Sequence, residues 1–356
     1  MFYISISFLT LYFSYESSKN ITRKSKKTMA TSDVIDSKYS GGKLMHKLLE
    51  ELLLNFKPSK VENGIPLQSF DDANVFPFKG NLAFTIDSHT IQPLTFPGGD
   101  IGKLSICGAI NDLACVGAKP ICIADAMIVE EGVPKNVLKK VVKSMELVCK
   151  ENDVALVTGD FKVVEKGKIG GMAISVAGIG KIYKKPVLDS GAKINDYVIV
   201  TGDIGRHGAC LLAIRNNIET ELKSDVMPLW KIIKKCLDVA DIHAMKDLTR
   251  GGLAGALNEI ASKSKVRIVI EERKVPIHNE TREICELLGV DPLELICEGR
   301  AVMFAGKKDA KEIIKEVDDA KIVGKVTKGQ GVVLKTMVGG YRIVDMPLAD
   351  PLPRIC

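Results

Sequence analysis

Residues 96–116 read FPGGDIGKLSICGAINDLACV. The Pro97-Gly98-Gly99 stretch is a loop. Beyond it Leu104, Cys107, Ile110, Leu113 and Ala114 recur at helical spacing, which predicts a helix over 101–116. Asn111 and Asp112 stand in the middle of that otherwise apolar run. Working outward, Leu82–Ile86 is a β-type run ending in Asp87, and Ile121–Val129 has the continuous apolar character of a buried strand. Pro134 suits the first turn of a helix over about 134–150, with Val137, Leu138, Val141, Val142, Met145 and Val148 inward. Val154–Val157 is a strand running into Thr158-Gly159-Asp160, and Met172–Ile182 is another strand. Strands and helices mixed in this way predict an α+β fold.

Lys184-Lys185-Pro186 and Asp189-Ser190-Gly191 form a polar break, where we place a domain boundary. Tyr197–Val200 then reads as a strand ending in Thr201-Gly202-Asp203. Leu229–Val239 and Leu253–Ser262 read as helices, and Val266–Ile270 as a strand. A helix over 309–317 and strands at 321–327, 329–335 and 341–344 complete a second α+β domain. Upstream, Ser40-Gly41-Gly42 precedes a helix over 43–56 that carries Leu44, Leu48, Leu49 and Leu52 on one face. The division is therefore 1–37 as an extension, 38–186 and 187–346 as two domains, and 347–356 as a tail. VALVTGD and YVIVTGD form a short internal echo between the two halves.

The 356 residues suffice for two domains of ordinary size. Five basic residues against Glu16 put a charge of +4 in the first 30 residues and leave +2 of the total +6 for the rest. That is too little to argue for nucleic acid or an anionic membrane. The apolar run at 1–14 is too short to span a bilayer, and its basic cluster follows it, the reverse of a signal peptide. With Met29 downstream, we read residues 1–28 as an extension with no part in the fold, the alternative being a weak membrane-surface anchor. The nine cysteines include no CxxC pair, so neither a zinc ribbon nor a disulfide framework is indicated. Cys107, Cys115, Cys149, Cys236 and Cys285 read as small buried hydrophobes, and the chain as cytoplasmic.

Asp71, Asp72, Asp87, Asp160 and Asp247 lie at the exits of apolar runs or beside glycine, and Asp112 joins them from its helix. Any one of them equally suits a cap or a turn. As a set they suit Mg²⁺, which takes one or two carboxylates together with waters and phosphate oxygens. No GxxxxGK[ST] loop is present, and no GxGxxG joins a strand to a helix. Thr249-Arg250-Gly251-Gly252 opens the helix at 253, where backbone N–H groups and Arg250 can meet an anion, or simply start a helix.

The tail carries Pro347, Pro351 and Pro353 and ends in Arg354-Ile355-Cys356. Proline stiffens such an arm into an extended form, so a terminal thiol can enter a pocket, be modified and leave. Its own α-carboxylate disfavours a thiolate, which Arg354 partly offsets, so activation falls to whatever loads the thiol. An idle chain end is the competing reading.

Phe96–Leu104, Asn111-Asp112-Leu113-Ala114, Glu130-Glu131-Gly132, Val157–Val164 and the ending Pro351-Leu352-Pro353-Arg354-Ile355-Cys356 together resemble the HypE family of hydrogenase maturation proteins, over about residues 38–356. The resemblance implies a PurM-like two-domain α+β fold, with the N-terminal domain forming a dimeric β-barrel core and with an extended C-terminal tail. It implies ATP and Mg²⁺ as cofactors, a homodimer, the carbamoyltransferase HypF as the partner that loads Cys356, and the HypC–HypD iron complex as acceptor of the cyanide. The implied reaction dehydrates an S-carboxamide on Cys356 to a thiocyanate for a [NiFe]-hydrogenase. Lys162 and Glu298 match the family's positions for proton acceptors. Gly41, Gly42, Lys103, Asn111, Thr249, Arg250 and Gly251 match its nucleotide contacts, and the six aspartates its metal site. The family's first motif, His-Gly-Ser-Gly-Gly, is departed from at Lys38 and Tyr39 and kept at Ser40-Gly41-Gly42. Competing readings are a superfamily kinase or synthetase of the selenophosphate synthetase or thiamine-phosphate kinase type, and a non-catalytic carrier on Cys356.

Overall fold

The computed structural model describes residues 42–53, 63, 65, 69, 74–77 and 80–349. The readings above for residues 1–41, for Asp71 and Asp72, and for the tail from 350 to Cys356 lie outside the described residues. The helix α1 (Gly42–Leu53) opens the described chain. Strands β1 (Asn74–Pro77) and β2 (Asn81–His89) follow, and then a two-stranded ribbon of β3 (Thr95–Phe96) and β4 (Gly99–Asp100). That ribbon leads directly into α2 (Ile101–Cys115). Next come β5 (Ala118–Glu130), α3 (Lys135–Asn152), β6 (Ala155–Val164) and β7 (Met172–Ile182).

These strands form one sheet in the order β1-β2-β7-β5-β6. All its pairs are antiparallel except β5 with β6, which α3 joins as a crossover. Along β2 the odd-numbered residues from Ala83 to His89 turn toward α2, and Phe84, Ile86 and Ser88 turn to the opposite, exposed face. β1 and β6 are the sheet's two edges, so the expected barrel is not closed among the described residues.

The second half contains β8 (Tyr197–Val200), α4 (Arg206–Arg215), α5 (Trp230–Val239), β9 (Ile242–Asp247), α6 (Gly252–Ser264) and β10 (Arg267–Glu271). It continues through α7 (Asn279–Leu288), β11 (Ala301–Ala305), α8 (Lys307–Glu316), β12 (Lys321–Thr327), β13 (Gly331–Lys335) and β14 (Tyr341–Val344). Its seven strands run β14-β13-β10-β12-β8-β11-β9. One face of this sheet builds a core with α6 around Leu253, Leu257, Ile260, Val302 and Phe304. Residues of the other face, Ile199, Met245 and Met303, join a single core with α4, α5, α8 and the buried sides of α2 and α3. α2 therefore has protein on all sides, which is why 13 of its residues are buried and it shows no polar face. Asp100 caps it, accepting the Lys103 N–H at 3.0 Å.

Two positional expectations are corrected. Asp87 and Asp160 lie inside β2 and β6, not at strand exits, because cross-strand pairing continues past them to His89 and Val164. The TGD echo does not repeat in structure. Thr158-Gly159-Asp160 is mid-strand in β6, whereas Thr201-Gly202-Asp203 is a loop between β8 and α4. The eight cysteines of the described residues are free thiols, seven of them buried and Cys122 half-buried. No helix among the described residues is long and apolar enough to cross a membrane.

Candidate active site

Gly108, one turn before Asp112 on α2, faces β2. A Cβ there would stand 2.9 Å from the His89 ring and 3.0 Å from Asp87 Oδ2. The missing side chain lets both residues press against the helix. His89 Nε2 lies 3.3 Å from Asp87 Oδ2, and Thr85 Oγ1 donates to Asp112 Oδ2 at 2.7 Å. Burial disfavours a proton on His89; Asp87 works against that and Arg250 with it.

Asn111 has a different task from its neighbour. Its Nδ2 donates to the carbonyls of Met227 and Glu298, each at 3.2 Å, and its Oδ1 accepts the Leu229 N–H at 2.7 Å. Both of its donors and one acceptor site are thus committed to backbone on the far side of α2. Removing them would strand three buried groups at about 1–3 kcal/mol each. Asn111 therefore positions the backbone of Glu298 and does not present a free amide.

Glu298 is 1% exposed, and neither carboxylate oxygen has a hydrogen-bond partner. Its N–H donates to Asp225 Oδ1 at 3.0 Å, and its carbonyl accepts from Met227 N–H at 3.3 Å. Burial first, then the charges of Asp247, Asp87 and Asp225, push its carboxyl well above the ordinary range, with Arg250 opposing. Burial likewise raises Asp225, against Arg300 and the Glu298 N–H. Arg300 is tied down on the other side, donating to Asp203 Oδ1 at 2.8 Å and to the Gly299 carbonyl at 3.0 Å. Burial pushes Asp203 up, but Arg300 and Arg206 overcome it and hold the carboxyl low. The result is a buried acidic nest in which the carboxyls of Glu298 and Asp225 are both pushed above their ordinary range.

Asp247 ends β9, and Thr249, Arg250 and Gly251 follow it into α6. Gly251 has φ +77° and Gly252 φ +57°, and a Cβ on Gly252 would meet the Leu295 carbonyl at 2.4 Å. This turn aims the start of α6, and Arg250 with it, at the acidic group that Glu298 and His89 occupy. Lys103 is committed elsewhere in this state, its Nζ donating to the Gly98 carbonyl at 3.0 Å.

Asp87, Asp112, Asp247 and Glu298 thus gather around the middle of α2, with Arg250 at the edge. Asp160 and Lys162 do not join them within one chain. Asp87 aligns with Val176, Val176 with Asp125, and Asp125 with Gly159, so β6 runs three strands away, about 14 Å at ordinary strand spacing. Moreover Asp160 pairs with Ala126 and Lys162 with Ile128 on the sheet face turned away from α2. Gly41, Asp71, Asp72 and Cys356 lie outside the described residues. No group of three His, Cys, Asp or Glu side chains at metal-holding distance occurs among the described residues. The sequence reasoning missed His89 and Asp225. His89 was signalled by its i, i+2 spacing from Asp87 on a strand. Asp225 sits in an irregular segment with no pattern to mark it.

Residues 70–182 match the family described as AIR synthase related protein, N-terminal domain, and residues 193–336 match AIR synthase related protein, C-terminal domain. The chain is 44% identical over 330 residues to a putative hydrogenase expression/formation protein of Methanocaldococcus jannaschii, covering 89% of this chain and 98% of that one. It is 39% identical over 329 residues to the carbamoyl dehydratase HypE of Rhodobacter capsulatus, covering 89% and 96%. Among solved structures it is similar to a chain of a HypE–HypF complex, with TM-score 0.77, 38% identity and coverage of 84% and 99%. It is also similar to HypE in complex with ATP, with TM-score 0.75, 34% identity and coverage of 89% and 98%. A thiamine monophosphate kinase of Aquifex aeolicus, 20% identical with TM-score 0.58 and coverage of 82% and 95%, shares the fold alone.

Proposed function

The chain belongs to the HypE family of carbamoyl dehydratases, and on that premise we propose that it dehydrates an S-carbamoyl group on its own Cys356 at the expense of ATP, for hydrogenase maturation. An amide oxygen is a poor leaving group. Transfer of the γ-phosphoryl of ATP to that oxygen makes it a good one, and loss of the phosphate with both N–H protons leaves the thiocyanate, ADP and phosphate. The observation that carries this reading is Glu298, a carboxyl sealed from water with both oxygens unengaged and its proton affinity raised. In its carboxylate form such a group is a stronger base than an ordinary glutamate and is matched to accepting a proton from nitrogen. Lys162 is the second proton acceptor.

ATP is the co-substrate, with Thr249, Arg250, Gly251 and Gly41 around its phosphates, whereas Gly42 packs against the Pro347 carbonyl. Magnesium fits the donor chemistry: both carboxylate oxygens of Glu298 and Oδ2 of Asp225 are buried without a hydrogen-bond partner, and the charges of Asp247, Asp87 and Asp225 all bear on Glu298. We assign Asp71, Asp72, Asp87, Asp112 and Asp247 to hold it, and Asp160 from β6. When bound it neutralises the phosphates. HypF is the partner that loads the thiol, and HypC–HypD carries the iron that takes the cyanide. The setting is the cytoplasm, where a terminal thiol stays reduced. We divide the molecule as 38–186, 187–346 and a tail from 347. A homodimer is supported by the exposed apolar face of the five-stranded sheet and by Asp160 and Lys162 standing on that face, away from Glu298.

Two variants separate nucleotide binding from the thiol chemistry. Asp87→Asn weakens ATP binding, measured by calorimetry, while HypF still carbamoylates Cys356. Cys356→Ala binds ATP as the parent does and transfers no cyanide. Loss of ATP affinity in Cys356→Ala would contradict a mobile arm separate from the nucleotide site.

A further inference from the structure

Just before the tail leaves the described fold, two elements grip it. The Lys43 N–H donates to the Pro347 carbonyl at 2.6 Å and the Leu44 N–H to the Leu348 carbonyl at 3.2 Å, so the first turn of α1 spends backbone donors on the chain's end. This approach requires glycine at 42. Its φ is +67°, and a Cβ would fall 2.3 Å from the Pro347 carbonyl oxygen and 2.8 Å from the Ala349 nitrogen. From the other side α6 contributes Asn258, whose Nδ2 donates to the Val344 carbonyl at 2.9 Å, and Gly251, whose position brings it close to the Pro347 ring.

The two gripping elements are themselves joined. His46 Nε2 on α1 lies 3.0 Å from Glu259 Oε1 on α6, and Lys246 Nζ on β9 lies 3.3 Å from Glu259 Oε2. Burial pushes Glu259 up, yet Lys246, His46 and Lys263 outweigh it and hold its carboxyl at about 2. Lys246 directly precedes Asp247, and Gly251 opens α6 beside Arg250, so the grip is built on the same elements that line the acidic nest.

We propose that α1 and α6 form a clasp on Met346–Ala349, with Gly42 and Glu259 as positioning residues that set the point from which the terminal cysteine reaches the site. Seven residues follow Ala349. Fully extended they span at most about 25 Å, so the location of their root decides where the sulfur can go. The clasp holds that root beside the N-terminus of α6. It deepens the function proposed above and rests on Cys356 being the group acted upon.

The test uses the full chain with ATP, carbamoyl phosphate and HypF, and compares the parent with Gly42→Ala and Glu259→Gln. Freeing the root leaves loading by HypF unchanged, because a loose tail still reaches an outside partner. It lowers kcat for dehydration about tenfold in Gly42→Ala, as misplacement of a reacting group by a fraction of an ångström does. The KM for ATP stays within about twofold, since the nucleotide's own contacts remain intact. Glu259→Gln, which keeps an oxygen for His46 and loses the charge facing Lys246, shifts kcat in the same direction by a smaller factor. Unchanged kcat in both variants overturns the clasp. So does a parallel fall of loading, kcat and thermal stability, which would make these contacts merely structural. A parent chain that takes no carbamoyl group contradicts the function itself, whereas a parent that is loaded and dehydrated beside variants that match it contradicts the clasp alone.

Discussion

Glu298 shows how far a side chain's chemistry is set by what surrounds it. Glutamate normally titrates near 4.5, and here burial and three neighbouring aspartates raise that value. The folded chain therefore keeps the proton over a pH range in which the unfolded chain loses it. The sign follows: stability linked to Glu298 is fully present below pH 4.5 and is lost as pH rises through the folded value. Glu298→Gln mimics the protonated form and lacks this loss. Chemical denaturation at pH 5 and pH 8 is expected to show the variant gaining on the parent as pH rises, by at most about 1.4 kcal/mol per pH unit. The same variant is expected to turn over no carbamoyl group. A variant that unfolds more readily at pH 8 would show that Glu298 is ionised in the fold. The location of Glu298 was read from its match to a family, and nothing in its immediate sequence predicts burial. Asn111 illustrates the converse. Its place in the middle of an apolar helix marked it as special, but whether it would hold a ligand or backbone depended on Met227, Leu229 and Glu298, all more than a hundred positions away.

Among the elements, α2, α3, β7 and β8 were legible because each shows a clear run or period in the sequence. α4, α7, β9 and β11 were not. α4 is buried on nearly every side and β11 at every position, so neither shows contrast between faces. β9 carries His243, Lys246 and Asp247, whose partners His243 and Lys246 find in Asp196 and Glu259. Polar residues satisfied by distant carboxylates hide a buried strand from any reading by hydropathy. Sheet faces were equally hidden. Asp87 and Asp160 both stand in strands of one sheet, yet pairing register sets them on opposite faces. The face bearing Asp160 and Lys162 also exposes Phe84, Ile86 and Ile179. Burying one such side chain is worth about 2 kcal/mol, so several together can hold two copies of the chain face to face. Ile86→Lys is accordingly expected to convert the protein to a monomer in sedimentation analysis and to lose turnover with it. A monomeric variant with full turnover would contradict the placement of Lys162 at an interface that completes the site.

At the scale of the molecule, two sheets share α2, and the site lies where that helix meets elements of both halves: β2 from the first, and β9, α6 and the segment at 298 from the second. The family resemblance implies this arrangement, because motifs in both halves stand in order along the chain. It does not convey that α1 and the tail are joined by backbone hydrogen bonds, since those depend on Gly42 only through the space it leaves. The proposed chemistry turns on one atom, the Cys356 sulfur. Mass spectrometry of the terminal peptide, after incubation of the full chain with HypF, carbamoyl phosphate and ATP, follows it directly. A carbamoyl adduct should appear first and then give way to a species lighter by one water, with none of this in Cys356→Ala. A terminal peptide that stays unmodified while ATP is consumed would contradict the account.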